Sequence, residues 1–233
     1  AALRKDMSEH TYADRFSYIA SKLSNIEIQV ELPLVVVVAV AQSEDELKKI
    51  ASSYSRQTYA TKLLKVLIKG DWAVDPKAEG GSISYWYEKE CSKKSLVDVV
   101  GDGKFISLMT SADYYGPNYL TDMTLSKRYS QSDVVGKASY FEFVNGEWTQ
   151  HHPDQVYRPS STYVFRAALV ATKLVEAMPL QQLIDYHLDQ TIESSEGLSI
   201  DPFNYCRNGN DAGILQQRIA DKVDDLPSLN CGI

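Results

Sequence analysis

Lys104-Phe-Ile-Ser-Leu-Met-Thr-Ser-Ala-Asp113-Tyr-Tyr-Gly-Pro-Asn-Tyr119 decides how the chain is read. The apolar run from Phe105 to Met109 ends in small polar residues, one carboxylate, two tyrosines and a Gly-Pro break. This grammar predicts a buried strand that delivers Asp113 to the carboxyl edge of a sheet, where open α/β sheets place their ligands. The flanking sequence alternates in the same style. The apolar run Leu32 to Ala41 predicts a buried strand opened by Pro33. Ser43, with Glu46 three residues on, predicts the N-cap of a helix from about Asp45 to Gln57. A second strand is expected at Leu63 to Lys69, ending in Gly70-Asp71.

Further along, Pro76 to Gly81 predicts a loop, and Ser82 to Cys91 a helix or strand beside it. Leu96 to Val100 is another apolar run. Pro117 to Tyr129 predicts a helix, and Asp133 to Phe143 one or two strands with a tight Asn145-Gly146 turn. A strand is expected at Tyr163 to Ala168, helices at Ala168 to Ala177 and Pro179 to Ser194, and a last helix from Asp211 to about Asp225. Alternation of strand and helix over roughly the first 130 residues implies an α/β fold with a mixed, mainly parallel sheet flanked by helices. Upstream, Arg4 to Leu23 is charge-rich, with Tyr12, Phe16, Ile19, Ala20 and Leu23 at helical spacing. Residues 1–28 therefore read as an N-terminal helix or linker, and 29–233 as the main domain.

The balance of 24 Lys and Arg against 31 Asp and Glu gives a net charge of −7. That argues against nucleic acid as a partner, since a phosphate backbone requires a broad basic face. Fifteen tyrosines can stack on sugars or fill half-buried surface. Cys91, Cys206 and Cys231 show no metal-binding spacing and read as reduced thiols, which fits a cytoplasmic protein. The longest strongly apolar run is about half the ~20 residues of a membrane-spanning helix, so no transmembrane segment is expected.

Several segments together resemble one family. Ser52-Ser-Tyr-Ser-Arg-Gln-Thr-Tyr59 is similar to a signature of family-two-type glycosyltransferases with the GT-A fold. Asp113-Tyr-Tyr-Gly-Pro-Asn-Tyr-Leu-Thr-Asp122, Arg128-Tyr-Ser and Asp133-Val-Val-Gly-Lys137 resemble the branch that builds bacterial surface polysaccharide. Ser160-Ser-Thr-Tyr-Val-Phe-Arg166 and Asp201-Pro-Phe-Asn-Tyr205 with Arg207 follow in the same order. Separately, His10-Thr-Tyr-x-x-Arg15 resembles the last helix of a GT-B glycosyltransferase module, which would make residues 1–28 the tail of an upstream domain.

The resemblance implies a nucleotide-sugar donor, a glycan acceptor and work in the cytoplasm, at the inner face of the membrane. It implies Asp71 as a contact to base or ribose and Lys137 and Arg166 as phosphate contacts. Asp113 would bind a divalent cation, Mg²⁺ or Mn²⁺, or the sugar phosphate. Asp189, with Asp185 second, would take the acceptor proton, a service worth roughly 10²–10⁴-fold in rate. Thr110-Ser111-Ala112 stands where relatives carry aspartates, and Ser160-Ser161 where they carry glycines. Three outcomes stay open: an enzyme that holds its metal weakly, one that relies on Lys or Arg instead, and a GT-A-like module without catalysis. Each residue also has a plain alternative. Asp113 would cap the helix after Pro117, Asp71 would be a turn residue, Lys137 and Arg166 would only finish strands, and Asp185 and Asp189 would form a solvated helix face. His151-His152 reads as exposed loop, His187 as structural, and Trp72, Trp86 and Trp148 as partly buried packing.

Overall fold

A computed structural model describes residues 4, 12–24, 32–74, 81–144, 147–210 and 223–224. The elements among them run, in order, α1 (Tyr12–Ser24), β1 (Val35–Ala41), α2 (Glu44–Arg56), β2 (Lys62–Ile68), β3 (Ile83–Tyr87), α3 (Glu88–Cys91), α4 (Leu96–Val100), β4 (Phe105–Met109), β5 (Tyr114–Tyr115), α5 (Tyr119–Ser130), β6 (Val134–Gly136), β7 (Tyr140–Val144), β8 (Glu147–His151), β9 (Pro159–Val164), β10 (Ala168–Ala171), α6 (Leu180–Tyr186), β11 (Thr191–Ser199) and β12 (Tyr205–Arg207). Eight strands form one sheet in the order β3-β2-β1-β4-β10-β6-β11-β9, and four form a small sheet in the order β5-β12-β7-β8. The pairs β3–β2, β2–β1, β1–β4 and β6–β11 are parallel. β10 is antiparallel to both β4 and β6, as β9 is to β11. The expected mixed, mainly parallel α/β sheet is the one observed.

The centre of the sheet explains itself from sequence. All seven residues of β1, Val-Val-Val-Val-Ala-Val-Ala, are buried. Parallel strands covered on both faces need no polar alternation, and their side chains divide by period two. Val35, Val37, Ala39 and Ala41 face one cluster with Leu47, Ile50 and Tyr54 of α2 and Tyr119, Leu120 and Met123 of α5. Val36, Val38 and Val40 face the other, with Leu96 and Val99 of α4 and Leu180, Leu183 and Ile184 of α6. Each fully buried aliphatic side chain contributes about 1.5–3 kcal/mol, so these two layers supply most of the driving force. Ser43 caps α2 as expected: its side chain accepts from the Glu46 N–H at 3.3 Å, while Glu46 accepts from the Gln42 N–H at 2.8 Å.

Two of the motif segments named from sequence meet in space. Gln57 lies buried past the end of α2, where its Nε2 donates to the Gly116 carbonyl at 2.9 Å and to the Ser53 carbonyl at 3.1 Å. Its Oε1 accepts from the Leu120 N–H at 3.1 Å. The Thr58 N–H donates to the Pro117 carbonyl at 2.8 Å, and Tyr59 OH donates to the Pro33 carbonyl at 2.7 Å. Gln57-Thr58-Tyr59 thus holds the Gly116-Pro117 turn and the start of α5 against the first strand.

The structure decides two segments left open and corrects others. Leu96–Val100 is a helix, with the Ser95 N–H bonded to Asp98 at 2.8 Å. Ser82 to Cys91 contains both elements, strand β3 and then α3. The expected helix at 168–177 is strand β10 followed by a 3-10 turn at Thr172–Leu174, because Ala168-Leu-Val-Ala is claimed by pairing with β4 and β6. The expected helix from Pro179 ends at Tyr186, and β-branched Thr191 and Ile192 open strand β11. Asp113 does not cap α5; Asn118 stands at that N-cap. Apart from Val223 and Asp224, the helix expected from Asp211 lies outside the described residues, as do the Asn145-Gly146 turn, most of the 76–81 loop, His10 and Cys231. Cys91 and Cys206 are free and buried.

Replacing Gln57 with Ala strands a buried N–H and a buried carbonyl. The expected loss is about 2–4 kcal/mol of unfolding free energy, read as a lower urea midpoint at unchanged m-value.

Candidate functional site

Because β1, β2 and β4 are adjacent and parallel, their carboxyl ends open on one side of the sheet. An open cleft of about 490 Å³ lies beyond β2, lined by Gly70, Asp71, Glu88, Lys89, Ser92 and Gln181. Gly70, at φ +92°, turns the chain there, and its N–H donates to Glu88 at 2.9 Å. Asp71 pairs with Lys89 at 2.7 Å, with 84% of each side chain exposed. The hydrogen bond and charge of Lys89 hold the Asp71 carboxyl below its usual range. At such exposure the pair fixes little and leaves both groups reachable. A second hollow, about 430 Å³, lies over the β9–β11 edge between Ser161, Thr162, Glu193, Ser194 and Ser195, away from these strand ends.

Helix α6 closes the cleft from the other side. Gln181 lines the cleft, and its Nε2 donates to Asp185 Oδ1 at 3.2 Å. Asp71 and Gln181 line this opening, and Asp185 lies one helical turn beyond Gln181, exposed. Asp189 is exposed in the turn after α6, where its N–H donates to the Tyr186 carbonyl at 3.0 Å. Lys69 Nζ reaches the Ile184 carbonyl at 3.3 Å, placing a cation at the carboxyl end of the helix. His187 follows, buried, with Nδ1 lacking a hydrogen-bond partner. Burial pushes its pKa down; Lys69 and Arg166 act in the same direction, against Glu46 and the Ile184 carbonyl.

Asp113 lies at the end of β4 as expected, but it points inward with no exposed surface. Oδ1 accepts from Arg166 Nη1 at 3.0 Å and from the Asn208 N–H at 2.9 Å, and Oδ2 accepts from Tyr205 OH at 2.8 Å. The turn after β12 seals it: Asn210 donates to the Asp113 carbonyl at 2.7 Å and to the Ala112 carbonyl at 2.8 Å. Burial pushes the Asp113 carboxyl up, opposed by Arg166, the Asn208 N–H, Tyr205 and Arg207. Tyr115, Tyr119 and Tyr205 pack around this pair, with centroids 5.0–6.0 Å apart. Tyr115 OH donates to the Arg166 carbonyl at 3.0 Å. These tyrosines fill the space beneath the strand ends.

Lys137 is equally withdrawn. Its side chain has no exposed surface and bonds Asp201 at 3.2 Å. Burial alone would raise the Asp201 pKa; the Lys137 charge and hydrogen bond, the Phe203 N–H and Tyr157 outweigh it and hold the carboxyl below its usual range. Nearby, Arg4 reaches Asp122 at 2.6 and 2.9 Å, and Asn204 Nδ2 donates to the same carboxylate at 3.0 Å. The Arg4 contact crosses the boundary expected between residues 1–28 and 29–233. His151 stacks on Tyr140 at 4.9 Å and lies 2.7 Å from Glu142. Trp86 lies under the Lys94 ammonium, Trp72 donates to the Lys69 carbonyl, and Trp148 packs edge-on to Phe143. Sequence reasoning missed Asn208, Asn210, Gln181 and Lys89. Only the tyrosine-rich composition hinted at the packing around Asp113.

A divalent cation expected at Asp113 would need exposed oxygen donors. Among the described residues no group of three or more His, Cys, Asp or Glu side chains is placed to hold one. Asp113 has no face open to solvent.

Parallel strands β3-β2-β1-β4, an antiparallel β10 beyond them, a small second sheet and a cleft at the carboxyl ends define the fold as GT-A type. The crystal structure of S. aureus TarS residues 1–349 is similar, at TM-score 0.50 and 14% identity over 76% of this chain. The match covers 60% of the TarS structure, so this chain spans less than two thirds of its length. The same TarS segment in complex with UDP-GlcNAc gives TM-score 0.47 at 15% identity, covering 75% of this chain and 58% of that one. Its complex with UDP gives 0.48 at 14%, covering 75% and 60%. No protein-family model and no curated protein matches the sequence. Among the described residues, no helix is long and apolar enough to cross a membrane.

His187 generates a pH test. Its folded pKa lies below the ordinary value of 6.5, so the unfolded chain takes up a proton first as pH falls. Stability therefore declines with falling pH between 6.5 and the lower folded value. The expected outcome is a thermal midpoint that drops from about pH 7.5 to about pH 5.5, with a shallower slope in His187→Gln. An unchanged slope in the variant would assign the effect to other groups.

Proposed function

We propose that this chain is a glycosyltransferase domain that moves a sugar from a nucleotide-sugar donor to a glycan acceptor in bacterial surface polysaccharide synthesis. The observation that carries the reading is the cleft at the carboxyl end of β2, with Asp71 on one wall and Asp185 joined to the other through Gln181. The donor lies across the ends of β1 and β2. Asp71 contacts base or ribose, and Lys89, freed from Asp71, meets the diphosphate. A carboxylate at the end of α6 removes the proton from the acceptor hydroxyl as its oxygen attacks the anomeric carbon and the nucleoside diphosphate departs. Asp189 and Asp185 are the residues proposed for that step; the hydrogen bond to Gln181 ties Asp185 to the cleft. Lys137 supports the site from within, because its ammonium is spent on Asp201. The reading puts the domain in the cytoplasm at the inner face of the membrane, in a longer chain with an upstream glycosyltransferase module.

A second reading is a non-catalytic GT-A-like module that binds glycan or supports a partner glycosyltransferase domain. The sealed carboxylate of Asp113 favours it, since an acid normally open at that strand end is closed here.

Calorimetric titration with UDP, GDP, CMP and UDP-GlcNAc separates the two. Saturable binding of at least one, weakened in Asp71→Ala, is expected for the enzyme; no binding of any would leave the module. If turnover is found, replacing the catalytic base with Ala lowers kcat by roughly 10²–10⁴-fold. Intact rates in both Asp185→Ala and Asp189→Ala would remove the pair from the chemistry.

A further inference from the structure

We infer that the strand-end position expected to hold a divalent cation is closed in this chain by its own guanidinium, so that any donor the fold accepts is bound without a divalent ion. The donor clause rests on the glycosyltransferase reading; the closed carboxylate stands independently of it. Both oxygens of Asp113 are already engaged, by Arg166 at 3.0 Å, the Asn208 N–H at 2.9 Å and Tyr205 OH at 2.8 Å. Mg²⁺ requires carboxylate oxygens and waters in a nearly octahedral shell, and a carboxyl group with no exposed surface admits neither ion nor water. The residues that do reach solvent between β4 and Asp113 are Ser111 and Ala112, which bring one hydroxyl and no charge.

Exposing Asp113 would require lifting the turn after β12, with loss of both Asn210 bonds, and separating the carboxylate from Arg166. The guanidinium would then stand beside the incoming dication, a like-charge contact in a poorly solvated place. Arg166 cannot leave cheaply, because its side chain is 4% exposed. The two requirements exclude each other: the charge that stabilises Asp113 in the core is the charge that repels a metal from it.

The test has three arms on the whole chain. Free Mn²⁺ is followed by electron paramagnetic resonance as protein is added without nucleotide. Equal uptake by wild type and Asp113→Asn is expected, and uptake lost in Asp113→Asn would overturn the inference. Thermal unfolding in EDTA is compared for Asp113→Asn, Arg166→Gln and the double variant. Asp113→Asn should lower Tm on the order of 10 °C, because it leaves Arg166 buried and unpaired. The double variant should melt above the sum of the singles. A metal ligand would instead leave Tm in EDTA unchanged or raised in Asp113→Asn, and strictly additive singles would equally sink the pairing. Should Asp113→Asn fail to fold, Tyr205→Phe, which removes one bond and keeps the ring, should still fold at a lower Tm. Finally, UDP and UDP-GlcNAc are titrated in EDTA and in Mn²⁺: equal affinities are expected, and binding seen only with Mn²⁺ would overturn the inference. No binding in either buffer would sink the donor reading alone, leaving the first two arms to decide on Asp113.

Discussion

A carboxylate buried without solvent must be neutralised by donors within hydrogen-bond reach, and Asp113 imposes that demand on the end of β4. Three separate parts of the chain answer it: Arg166 from the 3-10 turn before β10, Tyr205 from β12, and the Asn208 N–H from the turn that follows, where Asn210 also holds the Asp113 carbonyl. Meeting the demand fixes where β12 lies, and β12 is the strand that joins β5 to β7 in the small sheet. It also fixes the buried tyrosines, which fill the space around the pair. Removing one partner from such an arrangement typically costs about 3–5 kcal/mol, whereas the intact pair adds little net stability. Its effect is on specificity of arrangement.

The same accounting runs through the other inward charges. Lys137 is matched by Asp201, and Asp122 by Arg4 with help from Asn204. Charged residues that the motifs suggested for phosphate or metal are thus committed to internal partners. Candidate site residues that are reachable sit elsewhere: Asp71 and Lys89 at the cleft beyond β2, and Asp185 and Asp189 on and just after α6. The end of β4 is thus framework, while the open cleft lies two strands away, beyond β2.

The sequence showed the central strands well because burial on both faces writes them as continuous apolar runs. The run Phe105 to Met109 coincides with β4, and Lys62–Ile68 lies one residue from its expected place. Ala168–Ala171 was illegible for the opposite reason: four small apolar residues carry no periodicity, and their state is set by strands about sixty and thirty residues upstream. The site divides along the same line. That Asp113 ends a strand is local information; that it is sealed depends on residues more than ninety positions later. Asp71 could be placed at a strand end from Gly70-Asp71, but Lys89 and Gln181 come from β3's helix and α6, which no spacing connects to it.

That separation has a consequence for the order in which the chain can complete itself. The parallel core from β1 to β4 is assembled from residues 35–109, well before Tyr205, Asn208 and Asn210 are synthesised. Arg166 arrives 53 residues after Asp113, and the sealing turn 95 residues after it. During synthesis the end of β4 must keep its carboxylate hydrated, and the tyrosines beneath it cannot close. Dehydration of this carboxylate therefore waits on residues far along the chain. A chain ending before residue 210 would lack both Asn210 bonds that cover this corner.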